Sequence, residues 1–302
     1  MSTTFTIRAA TLDDLSAVTE LFNEHSRRLH GVADDTAEEI LQYWESPDVD
    51  FEKEVIVAEG SDGSIVGYGD VGENGELIWL DIRAFDPEPQ QGLLEALEPI
   101  AWEKKPGARL LGFVTEKDTG LRRVYEEHGY QVIRHSYRME IELGDLPAEA
   151  SATDGFSIRT MREGEEEQVY EVHEQSFEDA WMHTREPFEQ WQHWFMKDPS
   201  FDPSLWFVAE ADGELVGVAI CNTRGNEAGL GWVRILGVLR SHRRRGIGEA
   251  LLRHAFAEFK QRGFERVGLG VDAESPTGAV ALYERAGMHV ARTSLQLEKL
   301  QR

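Results

Sequence analysis

The stretch RSHRRRGIGEALLRHAFAEF, from Arg240 to Phe259, carries four arginines and a histidine in its first six residues. The positive charges stop at a glycine pair, Gly246 and Gly248, after which apolar residues recur at i, i+3 and i+4. That spacing indicates an amphipathic helix. A strand-like segment, WVRILGV, precedes the arginines. The order therefore predicts a strand, an arginine-rich turn and the N-terminus of a helix.

The arginine-rich turn predicts an anion site. Glycines let successive backbone N–H groups turn toward one point without interference from a side chain. The first N–H groups of a helix lie at the positive end of its dipole, and guanidinium groups add charge-assisted hydrogen bonds to phosphate oxygens. The expected ligand carries a phosphate. The alternative is a solvated basic patch that only relieves the surrounding negative charge.

Two other phosphate-binding motifs do not fit these residues. A P-loop requires Gly-x-x-x-x-Gly-Lys-Ser/Thr, and the stretch has no such spacing. A dinucleotide fingerprint requires a third glycine, but Leu251 stands at that place. The stretch therefore belongs to another class of anion loop.

The composition narrows the classes of partner. The chain has 56 acidic and 31 basic residues, a formal net charge of −25, which disfavours nucleic acid and anionic membranes. Cys221 is the single cysteine and the ten histidines show no His-Glu-x-x-His spacing, so we expect no disulfide and no metal. The N-terminal sequence lacks a secretory pattern, and no apolar run approaches the roughly 18 residues of a membrane span. We expect a soluble, cytoplasmic protein.

The chain repeats itself once. FTIRAATLDDLSAV resembles FSIRTMREGEEEQV, VIVAEGSDGSIVGYG resembles WFVAEADGELVGVA, and LRRVYEEHGY resembles AVALYERAGM, at offsets of 151, 151 and 158 residues. A period of that length indicates a duplicated domain rather than a solenoid. The polar segment GDLPAEASATDG reads as the linker. The predicted organisation is a domain at 1–143, a linker at 144–155 and a second domain at 156–302.

Each half reads as mixed α/β. In the second half, LWFVAE and LVGVAI flank Asp212-Gly213, a dipeptide typical of a hairpin turn. WVRILGV and RVGLGV read as further strands, and SPTGAVALYERAG as a helix that ends at Gly287.

Two segments of the second half resemble the GNAT N-acetyltransferase superfamily. VLRSHRRRGIGEALL matches its acetyl-CoA loop pattern, Gln/Arg-x-x-Gly-x-Gly/Ala, and AVALYERAGM matches its helical signature Ala-x-x-Leu-Tyr-Glu-x-x-Gly-Phe/Met. The resemblance implies two tandem GNAT-like domains, each a central mixed, largely antiparallel sheet flanked by helices. The arrangement is similar to that of mycothiol synthase-like proteins.

The resemblance also implies acetyl-CoA as cosubstrate and a site. The backbone of Leu236, Gly237 and Val238 would pair with the pantetheine arm, and a backbone N–H there would polarise the thioester carbonyl. Tyr283 would protonate the leaving thiolate. Pro276 stands where the family often has an asparagine, so Ser275 or Thr277 would contact the cofactor instead. The loop residues expected to hold the diphosphate are Arg243, Arg244, Arg245, Gly246, Ile247, Gly248 and Glu249.

The general base does not carry over. In mycothiol synthase-like proteins a glutamate lies on the strand before the loop, and Trp232 stands at that place here. The remaining candidates, on neighbouring strand ends, are Glu210, Glu227, Asp272 and Glu274. The acceptor pocket is expected near HEQSFEDAWMHTREPFEQWQHWF, where Trp191, Trp194 and Phe195 have the spacing of core residues.

The first half has lost the anion site. Its corresponding segment, FDPEPQQGLLEAL, has Asp86 and Glu88 in place of the arginines and keeps only Gly92 of the glycine pair. Tyr125 is therefore expected to be a packing residue. The predicted function is transfer of an acetyl group to the amine of a small molecule by the second half. The alternative is a non-catalytic CoA-binding sensor or interaction protein, which the missing glutamate favours.

Overall fold

The structure is a computed structural model that describes residues 4–33, 35–144, 146, 155–223 and 229–301. The chain forms two compact units: unit 1 comprises Met1–His135 and Thr293–Arg302, and unit 2 comprises Ser136–Arg292. The strands and α-helices, in chain order, are β1 (Phe5–Ala9), α1 (Leu15–His30), α2 (Ala37–Trp44), α3 (Phe51–Glu54), β2 (Val55–Gly60), β3 (Ile65–Asn74), β4 (Leu77–Ala84), α4 (Pro87–Lys104), β5 (Arg109–Thr115), α5 (Thr119–Glu127), β6 (Gln131–Glu142), β7 (Ser157–Thr160), α6 (Glu166–Phe177), α7 (Phe188–Met196), β8 (Trp206–Ala211), β9 (Glu214–Thr223), β10 (Leu230–Val238), α8 (Ile247–Gln261), β11 (Arg266–Asp272), α9 (Ala279–Arg285) and β12 (His289–Leu300).

Unit 1 contains a mixed sheet in the order β1-β2-β3-β4-β5-β12. The pairs are antiparallel except β4 with β5, which run parallel. One face buries α4 through Leu93, Leu94 and Leu97. The other face packs against α1 and α2, with Phe22 and Trp44 around the buried Tyr68.

Unit 2 repeats this order as β7-β8-β9-β10-β11-β6, again with one parallel pair, β10 with β11. The apolar residues of α8 that the sequence placed at helical spacing are buried on one face of the sheet, among them Leu251, Leu252 and Phe259. Trp191 and Val169 are buried on the opposite face with α6 and α7. The predicted mixed sheet flanked by helices is confirmed in both halves.

The last strand of each sheet comes from the other half of the sequence. In unit 1 the neighbour of β5 is Ser294–Leu300, from the end of the chain, and in unit 2 the neighbour of β11 is Ser136–Glu142. Each exchange gives a partner to a strand that would otherwise present unpaired N–H and C=O groups. The units therefore differ in extent from the sequence division at 143 and 156. Most of the predicted linker, 144–155, lies outside the described residues.

The local turn chemistry explains how the strands of unit 2 are joined. Asp212 and Gly213 have φ of 53° and 83° and form the two-residue connection between β8 and β9. Positive φ at both central residues is the requirement of a type I′ hairpin turn, as the Asp-Gly pair predicts. None of the helices in the described part of the chain combines the length and apolar character needed to cross a bilayer.

Candidate active site

Strands β10 and β11 of unit 2 separate about halfway along β10. Their parallel ladder runs from Leu230–Arg266 to Val233–Leu269, and in the described ladders the rest of β10 pairs only with β9. The separation coincides with a β-bulge, because Val233 faces Cys221 and Ile235 faces Ile220, which leaves Arg234 as the extra residue. A bulge bends and twists its strand. The segment after Arg234 thus presents one backbone edge outside the ladders.

The predicted pantetheine-binding residues lie on this edge. Leu236, Gly237 and Val238 follow the bulge and end β10. An extended chain can add to such an edge as a further strand. Gly237 also lets α6 approach the sheet, because a Cβ there would lie 2.1 Å from the Oγ of Ser176. The position therefore requires glycine for packing.

The arginine-rich loop connects β10 to the N-terminus of α8. It contains a 3₁₀ turn at Arg240–His242, and Arg244 and Gly246 have φ of 64° and 83°, in the left-handed region. No side chain of the described residues caps α8, whose first helical bond runs from the Ala250 N–H to the Gly246 carbonyl at 3.0 Å. The N–H groups of the first turn are thus left for an anion, at the positive end of the helix.

The two loop glycines are required for different reasons. At Gly246 a Cβ would meet nothing within 4 Å, but the left-handed backbone disfavours any other residue. At Gly248 a Cβ would lie 3.3 Å from Cδ1 of Leu282 and 3.6 Å from Cγ2 of Val238. The contact with Leu282 also brings α9, which carries Tyr283, against the first turn of α8.

The three predicted loop arginines differ in their contacts and exposure. The Arg243 guanidinium donates to Oδ2 of Asp179 and to the Ser176 carbonyl, both at 2.8 Å, and its Nε donates to the Val238 carbonyl at 3.2 Å. Arg243 thus connects the loop to the end of α6. The side chains of Arg244 and Arg245 are instead exposed to solvent.

The side chain of Glu249, one of the predicted loop residues, is held by an arginine and does not contribute to an anion site. Its carboxylate accepts from Arg253 at 3.0 Å, one helical turn on, so the carboxylate is held by an arginine of its own helix. Glu249 and Ile247 can therefore contribute to an anion site through their backbone N–H groups. Ile247 itself is buried in the core of unit 2.

Tyr283 has the properties of a phenol that donates a proton. Its side chain is buried, with 7% of the residue exposed, and burial raises the pKa of Tyr283 to about 12. No hydrogen-bond partner for its hydroxyl occurs among the described residues. A protonated hydroxyl without a protein acceptor is available to a ligand.

The turn between β11 and α9 holds the two predicted substitutes for asparagine. The hydroxyls of Ser275 and Thr277 lie 2.9 Å apart and form a hydrogen bond to each other. The backbone N–H of Ser275 donates to the Asp272 carbonyl, which closes the turn. Both hydroxyls therefore lie at the same end of β11.

The candidate general bases are widely spread. Glu210, on β8 between β7 and β9, is ion-paired with Arg159 at 2.9 Å. Asp272 accepts the Glu274 N–H at 3.0 Å at the end of β11, and Glu274 is exposed. Glu227 lies outside the described residues. Asp272 is therefore the candidate with a defined place near α9.

Trp232 stands where the resemblance to mycothiol synthase-like proteins implied a glutamate, and the structure gives it a packing role. It faces Gly268 across the parallel ladder, and a Cβ at Gly268 would lie 2.7 Å from the indole ring. The Arg138 guanidinium lies 5.2 Å above that ring. A cation over the ring face adds a favourable electrostatic contact.

The predicted acceptor segment contributes residues to the core. Trp191 is fully buried and donates from Nε1 to Nδ1 of His173 at 2.9 Å. Burial lowers the pKa of His173 to about 3, so its imidazole stays neutral at physiological pH. The prediction that Trp191 belongs to the core is confirmed.

Three residues that sequence reasoning did not single out organise the site. Ser176 and Asp179 hold Arg243, and Arg234 forms the bulge. A lone arginine inside the apolar strand WVRILGV was the available signal for Arg234. Asp179 has no local pattern that marks it, because its partner lies 64 positions away.

Unit 1 lacks the same loop. Two residues, 85–86, connect β4 to α4, whereas eight, 239–246, connect β10 to α8. Pro87 and Pro89 lie in the first turn of α4 and have no N–H to offer. Tyr125 is fully buried and its hydroxyl donates to the Leu80 carbonyl at 2.8 Å. Tyr125 is therefore a packing residue, as predicted.

Comparisons with known proteins show which family the chain belongs to. A sequence profile described as the Acetyltransferase (GNAT) family matches residues 166–288. The mycothiol acetyltransferase of Streptomyces coelicolor is 32% identical over 244 residues, which cover 74% of this chain and 76% of that protein. Two further mycothiol acetyltransferases, from Streptomyces avermitilis and Thermobispora bispora, align over 61% and 49% of their own length, less than two thirds.

Solved structures of similar fold extend over both halves. A GCN5-related N-acetyltransferase from Sphaerobacter thermophilus is 30% identical, with a TM-score of 0.78 and coverage of 98% of this chain and 95% of that chain. A tandem GNAT protein from the clavulanic acid biosynthesis pathway has a TM-score of 0.75 at 14% identity, covers 98% of both chains and shares the fold. The family predicted from the arginine-glycine loop is confirmed: this chain belongs to the GNAT family of acetyltransferases and has the tandem arrangement of two GNAT folds.

Proposed function

We propose that this chain is an acetyl-CoA-dependent N-acetyltransferase that transfers an acetyl group to the primary amine of a small molecule. The observation that supports it most directly is the combination found in unit 2. Unit 2 combines an open edge of β10, a helix N-terminus behind the exposed Arg244 and Arg245, and the Tyr283 hydroxyl. Among the described residues, no side chain caps that helix and no group is hydrogen-bonded to the hydroxyl.

The donor would lie along these elements in order. The diphosphate would accept hydrogen bonds from the first-turn N–H groups of α8 and meet the charges of Arg244 and Arg245. The pantetheine arm would pair with the edge formed by Ile235–Val238. Ser275 or Thr277 would contact the cofactor from the turn before α9.

The chemistry is a direct displacement at the thioester. The amine nitrogen bonds to the acetyl carbon while the carbon–sulfur bond breaks, and a backbone N–H on the open edge stabilises the negative charge that develops on the carbonyl oxygen. Tyr283 gives its proton to the leaving thiolate. The amine must lose its own proton, and Asp272 is the proposed acceptor of that proton, directly or through water. Holding amine and thioester together supplies much of the rate gain.

A second candidate function is a non-catalytic CoA-binding sensor. One observation favours it, the packing of Trp232 where the family has a carboxylate. The Tyr283 hydroxyl, which has no hydrogen-bond partner in the described part of the chain, favours the enzyme, because a sensor has no use for a proton donor at this position.

Calorimetric titration with acetyl-CoA, followed by assay of CoA release with a panel of amines, tests the proposal. The panel contains polyamines, aminoglycosides, amino sugars and cysteinyl-glucosaminides. We expect acetyl-CoA to bind and at least one amine to release CoA. Binding without release across the panel would favour the sensor, and no binding would contradict both functions.

A pair of matched variants assigns the binding to the loop. Gly246 and Gly263 flank the two ends of α8, have φ of 83° and 84°, and are both surrounded by open space. Gly246→Asp places a carboxylate where the diphosphate would lie and should abolish binding. Gly263→Asp imposes similar backbone strain and should keep wild-type affinity. Equal affinity in both variants would contradict the assignment.

A further inference from the structure

The bulge at Arg234 belongs to unit 2 and has no counterpart at the matching place in unit 1. Strands β3 and β4 pair without a register shift from Gly67–Ala84 to Asn74–Leu77. The parallel ladder of β4 with β5 nevertheless ends at Leu80–Gly112 after four pairs, just as that of β10 with β11 ends after four. Separation of the two strands therefore does not require the bulge. The bulge is a property of the unit that carries the arginine loop.

The side chain of Arg234 ties the bulge to the end of α7. Its Nη1 donates to Oδ2 of Asp198 at 2.6 Å and to the Trp194 carbonyl at 3.0 Å. The guanidinium also lies 4.5 Å above the ring of Phe195. A cation at the carbonyl end of a helix is favourably placed. Contacts with the Asp198 carboxylate, the Trp194 carbonyl and the Phe195 ring thus restrain the Arg234 side chain.

Further hydrogen bonds link Asp198 to β9, the strand that pairs with the bulged part of β10. Oδ1 of Asp198 accepts from the backbone N–H of Ser200 at 2.7 Å, and the Asn222 side chain donates to Oγ of Ser200 at 2.8 Å. Asn222 lies on β9 directly opposite Trp232, two residues before Arg234. The hydrogen bonds therefore connect the bulge, Asp198 two residues after α7 and the neighbouring strand in one closed path.

We propose that Arg234 is a positioning residue, which through Asp198 holds the bulge so that the backbone N–H of the following segment points at the thioester carbonyl. The inference rests on the proposed function, because it concerns the donor edge of the same site. Bulges re-aim the groups that follow them and are common beside active sites. A donor must lie within a few tenths of an ångström of its ideal place to polarise a developing oxyanion.

The test measures the carbonyl directly. Infrared difference spectra of bound acetyl-CoA, labelled with ¹³C at the thioester carbonyl, report the polarisation of that bond without an acceptor amine. We expect the carbonyl band to move to lower frequency when acetyl-CoA binds the wild-type protein. In Arg234→Met most of that displacement should be lost, while the acetyl-CoA Kd changes less than about 3-fold. With an active amine, kcat should fall about 10- to 100-fold.

The chain provides a matched control. Arg262 donates to Oδ2 of Asp202 at 2.7 Å, and Oδ1 of Asp202 accepts the backbone N–H of Ser204 at 2.9 Å. The same arginine–aspartate–serine contact therefore occurs at the far end of α8, away from the bulge. Arg262→Met should leave the carbonyl band, the Kd and kcat at wild-type values.

Further variants keep the test sharp if Arg234→Met folds poorly. Asp198→Asn should reproduce its loss of band displacement, and the double variant should be no worse than either single one, because both remove one tether. Arg234→Lys keeps a cation for Asp198 and should restore part of the displacement. A wild-type band in folded Asp198→Asn or Arg234→Met would overturn the role of Arg234. Failure of the wild-type protein to bind acetyl-CoA would instead overturn the proposed function.

Discussion

The Tyr125 hydroxyl donates a hydrogen bond of 2.8 Å to the Leu80 carbonyl in unit 1. Tyr283 stands at the matching place of the repeat, yet its hydroxyl has no partner in the described part of the chain. One fold thus uses the same residue type in two ways. In unit 1 the hydroxyl satisfies a buried backbone acceptor, and in unit 2 we propose that it serves the ligand.

The two tyrosines predict opposite effects of one substitution. Tyr283→Phe should lower kcat about 10- to 1000-fold with acetyl-CoA affinity nearly unchanged, because a proton donor acts only as the carbon–sulfur bond breaks. Tyr125→Phe should leave kcat unchanged and lower the free energy of unfolding by about 1–3 kcal/mol, since it leaves the Leu80 carbonyl unsatisfied. Steady-state kinetics and urea unfolding of both variants check this. Unchanged kcat in Tyr283→Phe, with chemistry limiting the rate, would exclude the donor role.

The loop geometry predicts one acetyl-CoA per chain. The two-residue connection before α4 offers no arginine and begins the helix with prolines, so unit 1 has lost the charge-assisted contacts of unit 2. Losing even two such contacts, each about 1.5–3 kcal/mol, weakens binding more than a hundredfold. Equilibrium titration should give a stoichiometry of one. A second equivalent site, or labelling of unit 1 by a photoreactive CoA analogue, would contradict the prediction.

Alanine variants of the three loop arginines should fall into two groups: those that lose only acetyl-CoA affinity and one that also loses thermal stability. Arg244→Ala and Arg245→Ala should weaken acetyl-CoA binding, more at low salt than at high salt, and leave the Tm unchanged because both side chains are exposed. Arg243→Ala should lower both affinity and Tm, because it breaks the contacts that hold the loop to α6. Asp179→Asn serves as its control and should share the lower Tm. Equal Tm in all three arginine variants would contradict this division.

Asp70 in unit 1 predicts a pH dependence of stability. Its burial, and next the charge of Asp81, raise the pKa of Asp70 to about 7. Between about pH 4 and 7 the native carboxyl keeps a proton that the unfolded chain has released, so its contribution to stability falls as pH rises. Asp70→Asn removes that loss and still accepts from the Tyr43 hydroxyl, which donates to Asp70 at 2.8 Å.

Urea unfolding of wild type and Asp70→Asn across this range measures the effect. The variant should be the more stable protein at pH 8, and the difference should shrink toward pH 4. Asp62→Asn, at an exposed turn, is a control that should show no gain at pH 8. A difference that grows as the pH falls would show that the Asp70 pKa is lowered, contrary to the prediction.

The sequence predicts features that depend on neighbouring residues. The apolar spacing of α8, the Asp-Gly hairpin and the glycine at 246 are local patterns, and the structure has all three. The same patterns do not specify which arginine turns inward. That depends on the partners of Arg243, which are Asp179 and the Ser176 carbonyl, 64 and 67 positions away.

Features that depend on distant pairing could not be predicted in this way. The bulge at Arg234 is a register shift between two strands, and register is a property of the assembled sheet rather than of one strand. The exchange of last strands also depends on distant pairing, because β6 pairs with β11 and β12 pairs with β5.

The exchanged strands also bear on how such a duplicated gene can change. A fragment starting at Phe156 would lack Ser136–Glu142, the neighbour of β11, and one ending at Leu143 would lack Ser294–Leu300, the neighbour of β5. Neither copy can be deleted without removing a strand from the surviving one. The first copy is free to lose its ligand chemistry by mutation, but not to disappear. Strand exchange therefore favours retention of both copies in the gene, even when one copy no longer binds a ligand.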